Sequence, residues 1–194
     1  MNPSTVSRSY TPEDLLAMPN GDDFELAGGE LVERSMGWDS SWIGGRVHHI
    51  LSTFCDETNA GWGAPADASY QCFADDPGKV RKPDVSFIRL PRLPAEDRPD
   101  GHCPIPPDLA VEVISPHDLC SDVEGKVDEY LRAGVSLVWV IDPPARSVRV
   151  HRADGSLSDL LEEDVLDGED VLPGFRCLVR DVFRTPGRLN QRPG

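Results

Sequence analysis

Several things are scarce in this chain, and each scarcity closes off a class of protein. No stretch approaches the roughly 20 apolar residues of a membrane span. The opening segment, MNPSTVSRSYTPEDLLAMPN, lacks the apolar run of a secretory signal. The cysteines are Cys55, Cys72, Cys103, Cys120 and Cys177, odd in number and with no pair in CxxC spacing. That pattern argues against a zinc site or a disulfide framework and for scattered reduced thiols. Basic residues are few: 19 Lys and Arg stand against 34 Asp and Glu, for a net charge of -15. An acidic chain is not an obvious nucleic-acid binder, because phosphate contacts need clustered Lys and Arg. Aromatic residues make up 7%, and nothing reads as a sugar platform, so a two-carboxylate glycosidase has little support. Internal repeats and low-complexity blocks are also missing. The expectation is a soluble cytoplasmic protein.

What is present suffices for a substantial core. Hydrophobic residues are 39% of 194, which suits one domain over 1–183, followed by a disordered tail over 184–194. TPEDLLAM opens a short helix with Thr11 as cap. FELAGGELVERS predicts a hairpin around Gly28 and Gly29. Ile43, Val47, Ile50, Leu51 and Phe54 recur at helical spacing, although Gly44 and Gly45 weaken the start of that helix. ASYQCF, DVSFIRL and DLAVEVIS read as three strands, the last apolar on both faces and so central. SDVEGKVDEYLRAG predicts a helix with Ser121 as cap, Glu124 at the capping-box position and Gly134 as its stop. SLVWVID and SVRVHRA are further strands, and the acidic stretch after residue 155 holds one or two short edge strands. The unit DLAVEVIS, helix, SLVWVID is a βαβ crossover with parallel strands. The class is mixed α/β.

Glu112 stands out within the central strand, among Leu109, Ala110, Val111, Val113 and Ile114. A buried carboxylate is rare unless it is paired, protonated or metal-bound. Asp84 opens the preceding strand, and adjacent strands can bring the two within a few ångströms. Two ionised carboxylates that close repel each other, and a divalent cation removes the repulsion while using both as hard oxygen ligands. With no His/Cys cluster, Mg²⁺ or Mn²⁺ is favoured. Lys126, at the edge of the core-facing stripe of the following helix, can aim its ammonium at the pair. Asp, Glu and Lys around a hard cation suit phosphodiester cleavage. Plainer readings stand beside these: a strand Glu paired with a base, a Pro-Asp turn at Asp84, a solvated Lys126, a hairpin Glu25, a core Tyr130, and a surface pair at His48 and His49.

The segments PDV with Asp84, VEVISP with Glu112, KVDEYLRAGVSLVWVIDPPARSVRVHR and FELAGGELVERS resemble the Uma-two family of the PD-(D/E)XK nuclease superfamily, over roughly residues 10 to 180. The resemblance implies a restriction-endonuclease-like core of helix, three strands, helix and strand, with an N-terminal hairpin and extra C-terminal strands. It implies a metal-dependent endonuclease acting on DNA, as a homodimer, with Asp84, Glu112, Lys126 and Glu25 as catalytic residues. Asp84, Glu112 and Val113 would hold the metal. The superfamily Lys two residues after the Glu is replaced by Ile114, and Lys126 from the next helix takes its part. Where the family often has a His at the start of its first long helix, this chain has Ser40 or Ser41. The alternative is a catalytically inactive nuclease-fold binding or assembly module, which the acidic charge and Ile114 favour.

Overall fold

The computed structural model describes residues 9–34, 37–116 and 118–186. Helix α1 spans Pro12–Ala17, and Thr11 caps it as predicted. The Thr11 hydroxyl accepts the Asp14 amide at 3.1 Å while the Asp14 carboxylate accepts the Thr11 amide at 3.0 Å, which satisfies two otherwise orphaned donors. Strands β1 (Phe24–Ala27) and β2 (Glu30–Glu33) form the predicted hairpin. Gly28 and Gly29 turn it with φ of +58° and +78°, values that favour glycine. Leu26 also bridges Val80, which ties the hairpin to the body through a small cluster of Leu15, Leu26 and Val80.

The long helix α2 runs Trp38–Thr58 and buries Ile43, Val47, Leu51 and Cys55 at four-residue spacing. It packs on a six-stranded sheet of order β3-β4-β5-β6-β7-β8. The strands are β3 (Gly61–Pro65), β4 (Val85–Arg89), β5 (Leu109–Val113), β6 (Leu137–Asp142), β7 (Ser147–Arg152) and β8 (Leu157–Leu160). Only β5 and β6 pair in parallel, and helix α3 (Cys120–Ala133) connects them. Every residue of β5 is buried, in line with its reading as a central strand.

The faces divide by alternation. Val85, Phe87, Leu109, Val111 and Trp139 point to the α2 side, where Leu166, Leu172 and Phe175 complete the larger core. Ala110, Val138 and Val140 point to the α3 side and meet Val123, Val127 and Tyr130. Burying one such aliphatic side chain is worth about 1.5–3 kcal/mol, so the sheet is held from both sides.

Two sequence expectations need correction. The first core strand is Gly61–Pro65, not ASYQCF. Residues 68–73 contribute only isolated bridges from Tyr70 to Arg81 and Cys103. The alternation there reflects Tyr70 inserting into a small satellite core with Ile88 and Cys103. At α3 the cap is Leu119, without a side-chain bond, because the helix begins two residues earlier than a Ser121 cap implies. Ser121 therefore lies inside the first turn and its hydroxyl donates to Asp122. Gly134 does close α3, with φ of +100°.

Beyond β8, a separate ribbon of β9 (Val165–Asp167) and β10 (Arg176–Leu178) leads to helix α4 (Val179–Val182). Most of the predicted tail lies outside the described residues, which end at 186. Among the described residues no helix is long and apolar enough to cross a membrane.

Candidate active site

The site begins with strand register. Val85 of β4 faces Val111 of β5. One step further the ladder opens, and Asp84 stands just before β4 beside the end of β5. Asp84 then reaches across: its Oδ2 accepts the Val113 amide at 2.7 Å. Its Oδ1 lies 3.8 Å from the Arg34 guanidinium, just past β2.

Glu112 points to α3, where Lys126 and Tyr130 stand four residues apart and so on one helix face. Each takes one carboxylate oxygen. The Tyr130 hydroxyl donates to Oε1 at 2.7 Å, and Lys126 Nζ donates to Oε2 at 3.3 Å. The same ammonium is 3.2 Å from Oε2 of Glu25, which arrives from β1. Glu25 is only 1% exposed and is fully engaged. It accepts Arg81 Nη1 at 3.0 Å and the Lys82 amide at 2.8 Å. Arg81 in turn forks onto Glu129, with bonds of 2.7 and 3.1 Å, and Lys79 joins Glu129 at 2.9 Å. The result is a chain of alternating charge running Glu129, Arg81, Glu25, Lys126, Glu112. All three lysines of the protein, Lys79, Lys82 and Lys126, lie in or beside it.

The electrostatics show surplus negative charge at one end. Burial pushes the Glu112 carboxyl up to about 7; Lys126 and the Tyr130 bond oppose this, while the charges of Asp84 and Glu25 add to it. Burial also raises Asp84, against the Val113 amide, Lys126 and Arg34. Burial works against the Lys126 ammonium, but Glu112 and Glu25 outweigh it and hold its pKa above the ordinary lysine value. Tyr130 is raised well above a free phenol by burial and by the Glu112 charge. Glu129, by contrast, is lowered: Arg81 and Lys79 overcome its desolvation.

This donor set fits a hard divalent cation. Asp84 and Glu112 offer carboxylate oxygens and Val113 a main-chain carbonyl, an all-oxygen set of the kind hard cations take. Despite Lys126 and Tyr130, the Glu112 carboxyl still resists ionisation, which is the condition a bound cation relieves. Among the described residues no group of three or more His, Cys, Asp and Glu side chains gathers to hold an ion. Two side chains and one carbonyl would leave the remaining positions to water and phosphate.

Asp84 also forms one wall of a cleft of about 230 Å³, with Arg34, Ser40, Ser41, Gly44, Gly45 and His48 along it. A Cβ on Gly44 would sit 3.8 Å from that of Asp84, and one on Gly45 would meet nothing within 4 Å. Neither glycine is required by packing, and each costs the helix interior about 1 kcal/mol against alanine. Of the two serines at the start of α2, Ser40 and Ser41, Ser40 is buried, accepts the Ser115 hydroxyl at 2.9 Å and donates to the Gly37 carbonyl. The adjacent histidines diverge: the His48 ring lies 3.2 Å from the Gly63 carbonyl of β3, and His49 is exposed.

Glu112, Lys126 and Glu25 are thus brought into one connected cluster, while Asp84 stands beside it, tied to the Val113 amide and paired with Arg34. The sequence reading missed Arg34, Arg81, Glu129 and the polar role of Tyr130. For Tyr130 a signal existed, since it lies four residues after Lys126. The partners of Arg81 lie 56 and 48 residues away, where spacing is silent.

A mixed sheet between two helices, with two acids where central strands end and a lysine from the crossover helix, defines a restriction-endonuclease-like fold. The family described as "Putative restriction endonuclease", Uma2, matches residues 12–180. The chain belongs to that family. It is also similar to a solved structure titled as a "putative nuclease belonging to DUF820" from Anabaena variabilis. The two share 18% identity and a TM-score of 0.75, over 89% of this chain and 97% of the other. No curated protein matches the chain.

Proposed function

We propose that this protein is a Mg²⁺- or Mn²⁺-dependent endonuclease that hydrolyses DNA phosphodiester bonds. The observation that carries the reading is the placement of the Lys126 ammonium against Glu112, with Asp84 at the adjoining strand end. Asp84, Glu112 and the Val113 carbonyl would hold the cation, which when bound polarises the phosphate and lowers the pKa of its water. Lys126 stays charged, because its pKa is raised rather than lowered. It therefore serves as a donor that orients water or stabilises developing negative charge, not as a base. Glu25 and Arg81 position it. Tyr130 fixes the rotamer of Glu112. In the reaction a water oxygen bonds to phosphorus, the ester oxygen departs, and that oxygen takes up a proton. Cutting both strands of a duplex calls for two such sites and so for a homodimer, which sedimentation would reveal.

A second reading is an inactive nuclease-fold binding or assembly module. It is favoured by the net charge of -15 and by Lys126 being shared between two carboxylates. The test is a Mn²⁺ titration of the parent and of Glu112→Ala, followed by a cleavage assay with Mg²⁺. Binding that disappears in the variant, together with cleavage by the parent alone, supports the nuclease. A parent that neither binds the cation nor cuts leaves the second reading.

A further inference from the structure

Trp38 is 85% exposed, the most exposed large hydrophobic among the described residues, and it stands in the first turn of the helix that lines the cleft. In α2 the positions Trp38, Ser41, Gly45 and His48 follow at i, i+3, i+7 and i+10, which is one stripe of a helix. The last three line the cleft that Asp84 walls. The stripe runs about 15 Å, at 1.5 Å per residue. The start of α2 is fixed next to the exit of β5. Pro116 Cδ would lie 3.8 Å from a Cβ on Gly37, and Ser115, three residues after Glu112, hydrogen-bonds Ser40. Trp38 therefore continues, at the N-terminal end of α2, the helix stripe that lines the cleft beside Asp84.

We propose that Trp38 stacks on an unpaired nucleobase, and that the strand it holds runs along Ser41, Gly45 and His48 to Asp84, so that single-stranded or locally unpaired DNA is the substrate class. This rests on the nuclease reading of the site. Three observations select the occupant. An indole in solvent offers a π-face that any base can cover, whereas bases inside a duplex already cover each other. Gly45 leaves the helix backbone bare where a sugar-phosphate chain would pass, and a Cβ there would meet only open space. The net charge of -15 weighs against phosphate attraction in either form, and more against the duplex with its denser charge, which leaves base contacts the larger share of single-strand affinity.

The test is anisotropy of a short labelled DNA oligonucleotide, single-stranded or annealed to its complement, in EDTA so that no turnover occurs. The parent, Trp38→Ala and Trp38→Phe are compared, with far-UV circular dichroism confirming that each is folded. The parent should bind the single strand more tightly than the duplex. Trp38→Ala should lose roughly tenfold on the single strand, in the range that loss of one base stack produces, and Trp38→Phe should retain most of the affinity. An unchanged Trp38→Ala, a preference for duplex, or no binding by the parent overturns the proposal. So does sedimentation showing a parent dimer that Trp38→Ala converts to monomer, which would give this face to a second copy. Mg²⁺-dependent cleavage of a duplex by both parent and Trp38→Ala would leave the nuclease reading standing while removing the stacking role.

Discussion

The Tyr130 hydroxyl donates to Oε1 of Glu112 at 2.7 Å, from a side chain that is otherwise core. Tyr130→Phe keeps the ring and removes the donor. One oxygen of a buried carboxylate is then unsatisfied, which costs about 1–3 kcal/mol. Urea denaturation at pH 7.5 should show that loss, with the Phe73 contact intact because the ring remains.

Glu112 makes stability depend on pH in a direction opposite to most carboxylates. Its folded pKa lies above the unfolded value, at about 7 against 4.5. The folded state therefore binds the proton more tightly. Its contribution is fully present below pH 4.5 and is lost as pH rises through about 7. Glu112→Gln cannot ionise, so its stability relative to the parent should improve between pH 4.5 and 8 by on the order of 2–3 kcal/mol. Paired urea titrations in metal-free buffer at several pH values check this. A difference that does not change with pH would contradict it.

Glu25 should matter more for folding than any other acid of the cluster. Its removal leaves Arg81 Nη1 and the Lys82 amide without their buried acceptor, Arg81 keeping Glu129, and leaves Lys126 with Glu112 alone. Breaking a buried ion pair from one side costs about 3–5 kcal/mol. Thermal melts of Glu25→Ala should fall accordingly, and Glu25→Gln, which keeps an acceptor for the Lys82 amide, should fall less.

Lys126→Met separates cation binding from chemistry. The variant removes a positive charge beside the acids, so Mn²⁺ affinity should hold or rise. Cleavage should fall by on the order of 100–1,000-fold, the usual effect of losing one preorganised donor. Calorimetric Mn²⁺ titration and a single-turnover cleavage assay read the two effects separately.

The parts of the fold that the sequence revealed are those in which pattern and burial coincide. β5, α3 and β6 carry strong periodicity because both faces of the strands and one face of the helix are packed. β3 was hidden: GWGAP holds two glycines and a proline, poor strand formers, and it becomes a strand through pairing with β4. The acids were legible in a similar way. Glu112 is conspicuous among apolar neighbours, and Asp84 and Lys126 stand one strand and one helix away. Arg34 and Arg81 were not legible, because their pairing depends on where the hairpin docks, and no local spacing encodes docking.

That docking has a consequence for inheritance. The chain from Glu129 through Arg81 and Glu25 to Lys126 and Glu112 crosses the hairpin, the segment before β4, the central strand and the crossover helix. Exchanging one of these segments leaves every charge answered only where the incoming segment carries the matching charge. Chimeras cut between the hairpin and residue 81 should accept only donors whose charges match at positions 25, 81 and 129. The N-terminal hairpin is therefore expected to be exchangeable only together with the helix about 100 residues further along the chain that answers its charge.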